Sequence, residues 1–174
     1  MRHLALVGLP GAGKTTIARA LGELLARDVI DFDAVIERQE GRSIARIFEE
    51  SGEDYFRERE CEVTAALVGA PPAILSPGGG WVTRSETVDL LRPGIRLVWL
   101  RVSPATAVRR MEGNRDARPL LMKGDPEAIL TRLGAEREEY YARSAAAIDT
   151  EVLTHQEVVR QIARLASFWT AGIG

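Results

Sequence analysis

The feature that most constrains this chain of 174 residues is the segment at residues 8–15, which reads GLPGAGKT. A hydrophobic run at residues 4–7 precedes it and predicts a buried strand, and apolar residues recur at helical spacing through residues 16–25. The pattern G-x-x-x-x-G-K-[ST] between a strand and a helix indicates a phosphate-binding loop, because backbone amides and the helix N-terminus attract anions. A chance match in a glycine-rich turn is the alternative, which the correct elements on both sides disfavour.

The members of this phosphate loop have separate chemical tasks. Glycines let the backbone approach a phosphate closely, and the amides from Ala12 to Thr16 point at phosphate oxygens. Lys14 supplies a cation for the β- and γ-phosphates, and the Thr15 hydroxyl is placed to ligate Mg²⁺. The predicted nucleotide-binding residues of the loop are Gly11, Ala12, Gly13, Lys14, Thr15 and Thr16. The loop alone does not identify the acceptor of the phosphoryl group.

Composition limits the partners and the compartment. The formal net charge of −2 gives no support for nucleic acid or an anionic membrane as a partner. Hydrophobic residues make up 45% of the chain and charged residues 28%, which is ordinary for one globular domain. Cys61 is the single cysteine, so an internal disulfide is impossible and a reducing compartment is expected. With no leader pattern and no apolar run of membrane length, we expect an unprocessed cytoplasmic protein.

Strand patterns alternate with helical patterns along the chain. The predicted strands are residues 4–7, 29–32, 73–75, 96–100 and 146–149. The predicted helices are residues 14–26, 33–40, 43–50, 53–68, 84–91, 104–111, 126–142 and 155–169. This order predicts an α/β fold, a three-layer α/β/α sandwich in which helices cover both faces of a parallel sheet. Ligands of such sheets bind at the carboxyl ends of the strands, where the phosphate loop already lies.

Two carboxylates, Asp31 and Asp33, close the second predicted strand. Alternation along a strand would place both on the same side, with Phe32 on the other. One carboxylate suits the hydration shell of Mg²⁺, and the other could accept a hydrogen bond or a proton from an acceptor hydroxyl. The alternative for Asp33 is a role as the N-cap of the helix that follows.

A second group of residues suits a small acidic acceptor. Arg57 and Arg137 lie on separate predicted helices, and the guanidinium fork can grip a carboxylate with two hydrogen bonds. Glu60 lies three residues after Arg57 and is placed to orient it. Alternatively, both arginines belong to solvent-exposed helix faces on which opposite charges recur at helical spacing. The segment PGGG at residues 77–80 follows the third strand and lets the backbone come close to a ligand, and Trp81 is read as pocket wall or core.

Two segments do not fit a minimal core of sheet and helices. Residues 33–62 are charged and almost entirely helical, and we interpret them as an acceptor-binding arm. Residues 111–124 contain glycine, proline and basic residues, and we interpret them as a mobile lid. The arginines that cluster in and before this lid are Arg109, Arg110, Arg115 and Arg118. A cationic loop can close over a triphosphate and stabilise the transferred phosphoryl group, and a solvated surface loop is the alternative.

Taken together, these motifs resemble the shikimate kinase family. The motifs are GAGKTT at 11–16, DFD at 31–33, GRSI at 41–44 with Phe48, FRERE at 56–60, GGG at 78–80, RPLL at 118–121 and Arg137. The resemblance covers nearly the whole chain. The loop alone is common to many nucleotide-binding proteins, whereas the set in this order and spacing is specific.

The resemblance implies a function and a fold. It implies ATP-dependent phosphorylation of the 3-hydroxyl of shikimate on the route to aromatic amino acids, by a monomeric enzyme. It also implies one domain over residues 1–174 with a five-stranded parallel sheet of order 2-3-1-4-5, as in nucleoside monophosphate kinases.

The resemblance also implies roles for individual residues. Asp33 would hold the shikimate hydroxyls and act as the base, and Arg57 with Arg137 would grip the carboxylate. The glycines of the third-strand turn, Gly79 and Gly80, would border the ring hydroxyls, with Gly79 contacting them through its backbone. Thr15 would ligate Mg²⁺, and Asp31 would reach the ion through water. Arg118 would be the lid arginine with a catalytic role beside Lys14, and Arg110 would flank the adenine.

The sequence departs from the family pattern in three places. Trp81 follows the glycines where the family often has a small residue, and Phe32 replaces the usual small polar residue of the acidic pair. Residues 149–153 lack a basic residue that some members place near the adenine base of the nucleotide.

Two rival functions remain to be separated by experiment: another small-molecule kinase of this fold, such as a gluconate kinase, and a nucleotide-binding regulatory module without turnover.

Overall fold

The computed structural model describes residues 2–112 and 124–170. The strands are β1 (His3–Val7), β2 (Val29–Asp31), β3 (Ile74–Ser76), β4 (Ile95–Arg101) and β5 (Ala146–Asp149). The helices are α1 (Lys14–Leu25), α2 (Phe32–Glu40), α3 (Ile44–Ala65), α4 (Ser85–Asp89), α5 (Pro104–Arg110), α6 (Pro126–Tyr141) and α7 (His155–Thr170). A short 3₁₀ turn, Trp81–Thr83, lies between β3 and α4.

The five strands form one parallel sheet in the order β2-β3-β1-β4-β5, which confirms the predicted fold. In the register of the central strands, Leu4 lies opposite Ile74 of β3 and Val7 lies opposite Trp99 of β4. Every residue of β1 is buried, because helices cover the sheet on both sides. The carboxyl ends of β1, β2 and β3 therefore meet at one edge, where the phosphate loop, Asp31 and Ser76 lie.

Two hydrophobic cores lie on the two faces of the sheet. One core packs Val7 and Leu75 against helical and turn residues that include Phe32, Phe56 and Trp81. The other core packs inward-facing residues of β1, β3 and β4 against α1 and α7. Since successive residues of β1 enter different cores, its uninterrupted apolar sequence is what a strand buried on both faces requires.

Two boundaries differ from the sequence prediction in a way that affects the site. β2 ends at Asp31 and α2 begins at Phe32, so Asp33 lies in the first helical turn and strand alternation does not position it. Asp31, and not Asp33, is the N-cap, because its Oδ1 accepts a hydrogen bond of 3.3 Å from the amide of Ala34. Both of those sequence arguments were therefore wrong.

The predicted pair of helices at residues 43–50 and 53–68 forms one element with a break. Gly52 adopts φ +83° and ψ 175° inside α3, which glycine tolerates and which turns the second half of the helix away from the first. Glu53, Arg57 and Glu60 all lie on this second half. Within the described ranges, no helix is long and apolar enough to cross a membrane. Most of the predicted lid, including Arg115 and Arg118, lies outside the described residues.

Candidate active site

The phosphate loop joins β1 to α1 in a geometry that depends on glycine. Gly13 has φ +90° and is the N-cap of α1, and Gly11 has φ +82°. A Cβ at Gly11 would lie 2.6 Å from the carbonyl oxygen of Ala107 on α5, so the site lacks both the conformation and the space for a side chain. The loop therefore presents its backbone amides at the positive end of the α1 dipole.

A cavity of about 630 Å³ opens beside this loop. Its wall includes all six predicted nucleotide-binding residues of the loop, together with Asp31, Asp33 and Gly78 on one side and Arg110 on the other. The strand order explains this division, because β2 and β3 flank β1 on one side and β4 and β5 on the other. The predicted catalytic, nucleotide and metal residues that are described therefore share one cavity.

Three oxygen-bearing side chains converge at the start of α1. The Thr15 hydroxyl donates a hydrogen bond of 2.8 Å to Oδ2 of Asp31, and its oxygen lies 3.4 Å from the hydroxyl of Ser76. Hydroxyl and carboxylate oxygens are hard ligands of the kind that Mg²⁺ prefers, so these residues fit that ion. The sequence analysis assigned no role to Ser76. Its position at the end of β3, opposite Asp31 of the neighbouring strand β2, was the available signal.

Lys14 lies buried within the loop. Its ammonium donates hydrogen bonds of 2.9 Å to the carbonyl oxygen of Gly8 and of 3.0 Å to that of Leu9. These bonds hold the cation over the loop at the cavity wall, which is where a bound phosphate would contact it.

Arg57 is held by two carboxylates of its own helix. Its Nη1 lies 2.5 Å from Oε2 of Glu60, and its Nη2 and Nε lie 2.7 and 3.2 Å from Oε1 of Glu53. Burial opposes the charge of Arg57, but the two carboxylates outweigh it and raise the pKa of the guanidinium. Burial raises the pKa of the Glu60 carboxyl, while Arg57 and the amide of Gly78 oppose that rise. The predicted orientation of Arg57 by Glu60 is thus present in the structure.

The glycine turn, residues 78–80, separates the two arginines. A Cβ at Gly80 would lie 2.7 Å from Cζ of Arg57, and a Cβ at Gly79 would lie 3.2 Å from Nη1 of Arg137. Both arginines are buried, and neither lines the cavity that contains Asp33. The structure therefore brings Arg57, Arg137 and the turn into contact, with Gly78 as the part of the turn that reaches the cavity wall.

Tyr141, the last residue of α6, also contacts this turn. Its hydroxyl donates a hydrogen bond of 2.7 Å to the carbonyl oxygen of Gly79, and its ring stacks on Trp99. Burial raises the pKa of the Tyr141 hydroxyl, and the charge of Arg137, one helical turn earlier, partly opposes the rise. The hydroxyl therefore remains a donor at neutral pH.

Arg110 lies at the opposite side of the cavity and binds the loop after β5. Its Nη1 donates to the Thr150 hydroxyl at 2.8 Å, and its Nη2 donates to the Thr150 carbonyl oxygen at 2.5 Å. His155, the first residue of α7, also lines the cavity on this side. Of the two interpretations of Trp81, pocket wall or core, the structure confirms core: the residue is buried, and its indole donates to the Thr64 hydroxyl at 2.9 Å.

Comparisons with known proteins identify the family to which this arrangement belongs. A sequence model of the family described as shikimate kinase matches residues 10–166, which include the acidic pair, both buried arginines and the glycine turn. The chain belongs to the shikimate kinase family. Among curated relatives, the shikimate kinase of Moorella thermoacetica is 38% identical over 167 residues, which cover 96% of this chain and 95% of the relative. The shikimate kinase of Thermobifida fusca is 42% identical over 161 residues and covers 91% of each chain.

Solved structures agree with the family assignment. The shikimate kinase of Acinetobacter baumannii in complex with shikimate superposes with a TM-score of 0.89 at 34% identity, covering 95% of this chain and 93% of that one. A gluconokinase of Sinorhizobium meliloti gives a TM-score of 0.66 at 18% identity, covering 99% of this chain and 98% of that one. The similarity to the gluconokinase shows a shared fold only, so it is not evidence that gluconate is the acceptor.

Proposed function

We propose that this member of the shikimate kinase family transfers the γ-phosphoryl group of ATP to the 3-hydroxyl of shikimate. The products would be 3-phosphoshikimate and ADP, on the route to aromatic amino acids. The observation that carries the proposal is the shared cavity, in which the phosphate loop faces Asp33 and the glycine turn, with two buried arginines packed against that turn. The solved relative from Acinetobacter baumannii binds shikimate, which supports the same acceptor here.

The phosphate loop would bind and align the triphosphate. The amides of residues 13–16 would donate to phosphate oxygens, whereas the Ala12 amide already donates to the carbonyl oxygen of Leu9 at 3.1 Å. Lys14 would neutralise charge on the β- and γ-phosphates. Thr15 would hold Mg²⁺ directly, with Asp31 and Ser76 ordering the water around it. When bound, this ion offsets the negative charge of the phosphates. Arg118 of the lid, outside the described residues, remains a prediction as a further cation over the transferred group.

Asp33 would act on the acceptor hydroxyl. As the 3-hydroxyl oxygen forms its bond to the γ-phosphorus, the bond from that phosphorus to the β–γ bridging oxygen breaks. The hydroxyl proton moves to the Asp33 carboxylate, and ADP leaves with the bridging oxygen. Positioning and charge stabilisation, with no covalent enzyme intermediate, would supply most of the rate.

The acceptor would be held by its carboxylate and its ring hydroxyls. Arg57 and Arg137 approach the glycine turn from α3 and α6 and would bind the carboxylate, while Gly79 and Gly80 border the ring. Arg110 would flank the adenine at the other side of the cavity.

We further propose one domain with an acceptor arm at about 33–62 and a lid at about 111–124, acting as a monomer in the cytoplasm. Sedimentation of the purified protein and cell fractionation test the last two statements.

The position of the phosphoryl group on the product tests the proposed chemistry. We expect phosphorus and proton NMR of the reaction with shikimate and magnesium ATP to show one phosphate ester, with coupling to the proton on carbon 3. A phosphate on another hydroxyl would contradict the placement of Asp33 beside the 3-hydroxyl. Phosphorylation of gluconate in preference to shikimate would contradict the assigned acceptor.

A further inference from the structure

Three lysine or arginine side chains of the described residues line the cavity beside the phosphate loop: Lys14, Arg19 and Arg110. Lys14 donates to two carbonyl oxygens of the loop, and Arg110 donates to the hydroxyl and the carbonyl oxygen of Thr150. Arg19 differs from both, because its guanidinium has no hydrogen bond or ion pair within the described part of the chain. The residue is exposed, and a guanidinium carries five N–H donors. Of these three cations, Arg19 is therefore the one whose donors are available to a ligand.

The place of Arg19 on α1 directs its side chain toward the phosphate loop. α1 begins at Lys14, and Arg19 lies about one turn after Thr15 and Thr16. Helical side chains tilt toward the N-terminus of their helix and cover the turn that precedes them. The guanidinium of Arg19 therefore extends over the turn that carries Thr15 and Thr16, both of which line the same cavity. Its charge adds to the positive end of the α1 dipole, where phosphates bind.

The tasks proposed for the neighbouring groups leave the α-phosphate without a charged partner. Lys14 would neutralise the β- and γ-phosphates, and Thr15 with Asp31 would hold Mg²⁺. In a phosphate loop, backbone amides hold the α- and β-phosphates. The amides of Thr15 and Thr16 belong to this set, and they lie in the turn that Arg19 covers. The α-phosphate is thus the phosphate that Arg19 is best placed to bind.

We propose that Arg19 is a nucleotide-binding residue whose guanidinium binds the α-phosphate of the phosphoryl donor. The proposal rests on the proposed function, because the ligand of the cavity is taken to be a nucleoside triphosphate. The bond that breaks joins the γ-phosphorus to the β–γ bridging oxygen, so the α-phosphate keeps its charge throughout the reaction. Arg19 would therefore stabilise bound ATP and the transition state to the same extent. Loss of Arg19 should raise the KM for ATP and should not lower kcat.

The variant Arg19→Gln removes the charge and keeps part of the side chain. We expect the KM for magnesium ATP, and the Kd for ADP measured by calorimetry, to rise about three- to tenfold, since one charge-assisted hydrogen bond at an exposed position is lost. The KM for shikimate should stay at the wild-type value. Arg19→Lys keeps the charge and should bind ADP more tightly than Arg19→Gln. The matched control is Arg164→Gln, because Arg164 is an exposed arginine of α7 that does not line the cavity. The control should leave the KM for ATP and the Kd for ADP unchanged.

Phosphorothioate analogues identify the phosphate that Arg19 binds. In the Rp and Sp isomers of ADPαS, sulfur replaces one of the two non-bridging oxygens of the α-phosphate, and sulfur is a weak hydrogen-bond acceptor. We expect Arg19→Gln to cost less affinity for one isomer than for ADP, because the sulfur has already weakened the contact in the wild type. An equal loss of affinity for ADP and both isomers would overturn the proposal. No loss for ADP, or a fall in kcat with an unchanged KM for ATP, would overturn it as well.

The binding measurements need no acceptor, so the inference and the proposed function can fail separately. Wild-type protein that binds ADP but does not phosphorylate shikimate would overturn the proposed function and leave the assignment of Arg19 intact. Wild-type protein that phosphorylates shikimate, with an Arg19→Gln variant of unchanged affinity for ADP, would overturn the assignment of Arg19 alone.

Discussion

The rings of Phe32 and Trp81 meet edge to face, with centroids 5.9 Å apart and an angle of 75° between their planes. These are two of the positions at which the sequence departs from the pattern of its family. Both are almost completely buried in the core on one face of the sheet, and neither lines the cavity. The two large residues therefore pack against one another in the core. Phe32 directly precedes Asp33 in the sequence, and Trp81 directly follows the glycine turn.

The free energy of unfolding should reveal coupling between these two rings. In a double-mutant cycle of Phe32→Leu and Trp81→Leu, we expect a coupling free energy of about 0.5–1.5 kcal/mol, because edge-to-face pairs gain that much beyond burial. Urea unfolding of the four proteins measures it. The control cycle combines Phe32→Leu with Trp169→Leu, which belongs to the core on the other face, and should be additive. Additivity in both cycles would contradict the pairing.

Asp33→Asn should lower turnover without affecting nucleotide binding. The amide retains the shape of the side chain but cannot accept the hydroxyl proton, so we expect kcat to fall by about 10²- to 10⁴-fold. The affinity for ATP, measured by calorimetry, should remain at the wild-type value. Asp28→Asn is the matched control, because Asp28 is exposed at the other end of β2. Wild-type kcat in Asp33→Asn would show that this residue is not the base.

Glu53→Gln should improve the binding of an acidic acceptor. The Glu53 carboxylate accepts hydrogen bonds from Nη2 and Nε of Arg57, the two donors that a substrate carboxylate would bind side by side. The side chain of Glu53 is 48% exposed. We expect the KM for shikimate to fall up to about fivefold, the range that a partly exposed ion pair allows. Glu58→Gln, an exposed glutamate on the same half of α3, is the control and should leave KM unchanged. A higher KM in Glu53→Gln would mean that Glu53 supports the arginine and does not compete for it.

His3 should make the stability of the protein depend on pH below about 6.5. Its Nδ1 accepts from the amide of Ala73 at 3.2 Å and its Nε2 lies 3.3 Å from the carbonyl oxygen of Leu67, a pattern that requires the neutral ring. Burial lowers the pKa of His3 below its ordinary value of 6.5, and nearby Arg27 adds to the effect. The unfolded chain therefore binds a proton on His3 before the native protein does, and the free energy of unfolding falls as pH falls below 6.5.

The variant His3→Gln isolates this contribution. We expect the wild type to be more stable at pH 8, and the difference in unfolding free energy to shrink as pH falls below 6.5. A difference that stays constant from pH 8 to pH 5 would contradict a neutral, buried His3.

Much of the fold could be predicted because its signals are local. The apolar runs of β1 and β4, the helical spacing after them and the loop between them predict strand, turn and helix without any tertiary information. The end of β2 could not be placed, because Phe32 is equally suited to a strand and to the first turn of a helix. The side chain of Asp31 decided that boundary by capping α2.

The site was predictable only in part, because the sequence indicates which residues follow strands but not how the helices pack. The loop residues follow β1 and the acidic pair lies at the end of β2, two parallel strands of one sheet with β3 between them, so the topology rule brings these residues to one edge. The positions of Arg57 and Arg137 depend on the packing of α3 and α6 against the glycine turn. The pattern of charges along the two helices does not predict this packing. Tyr141 and Ser76 carried no sequence signal beyond their place in a helix and at a strand end, since a hydroxyl that bonds a backbone oxygen leaves no pattern.

The most direct test of the central claim is the release of ADP from magnesium ATP with shikimate, quinate, gluconate or no acceptor. We predict release that requires shikimate, with quinate, gluconate and the blank at background. Release driven by gluconate would keep the phosphate loop and contradict the acceptor site. No release with any acceptor, from protein that still binds ATP, would contradict the kinase and leave a nucleotide-binding regulatory module.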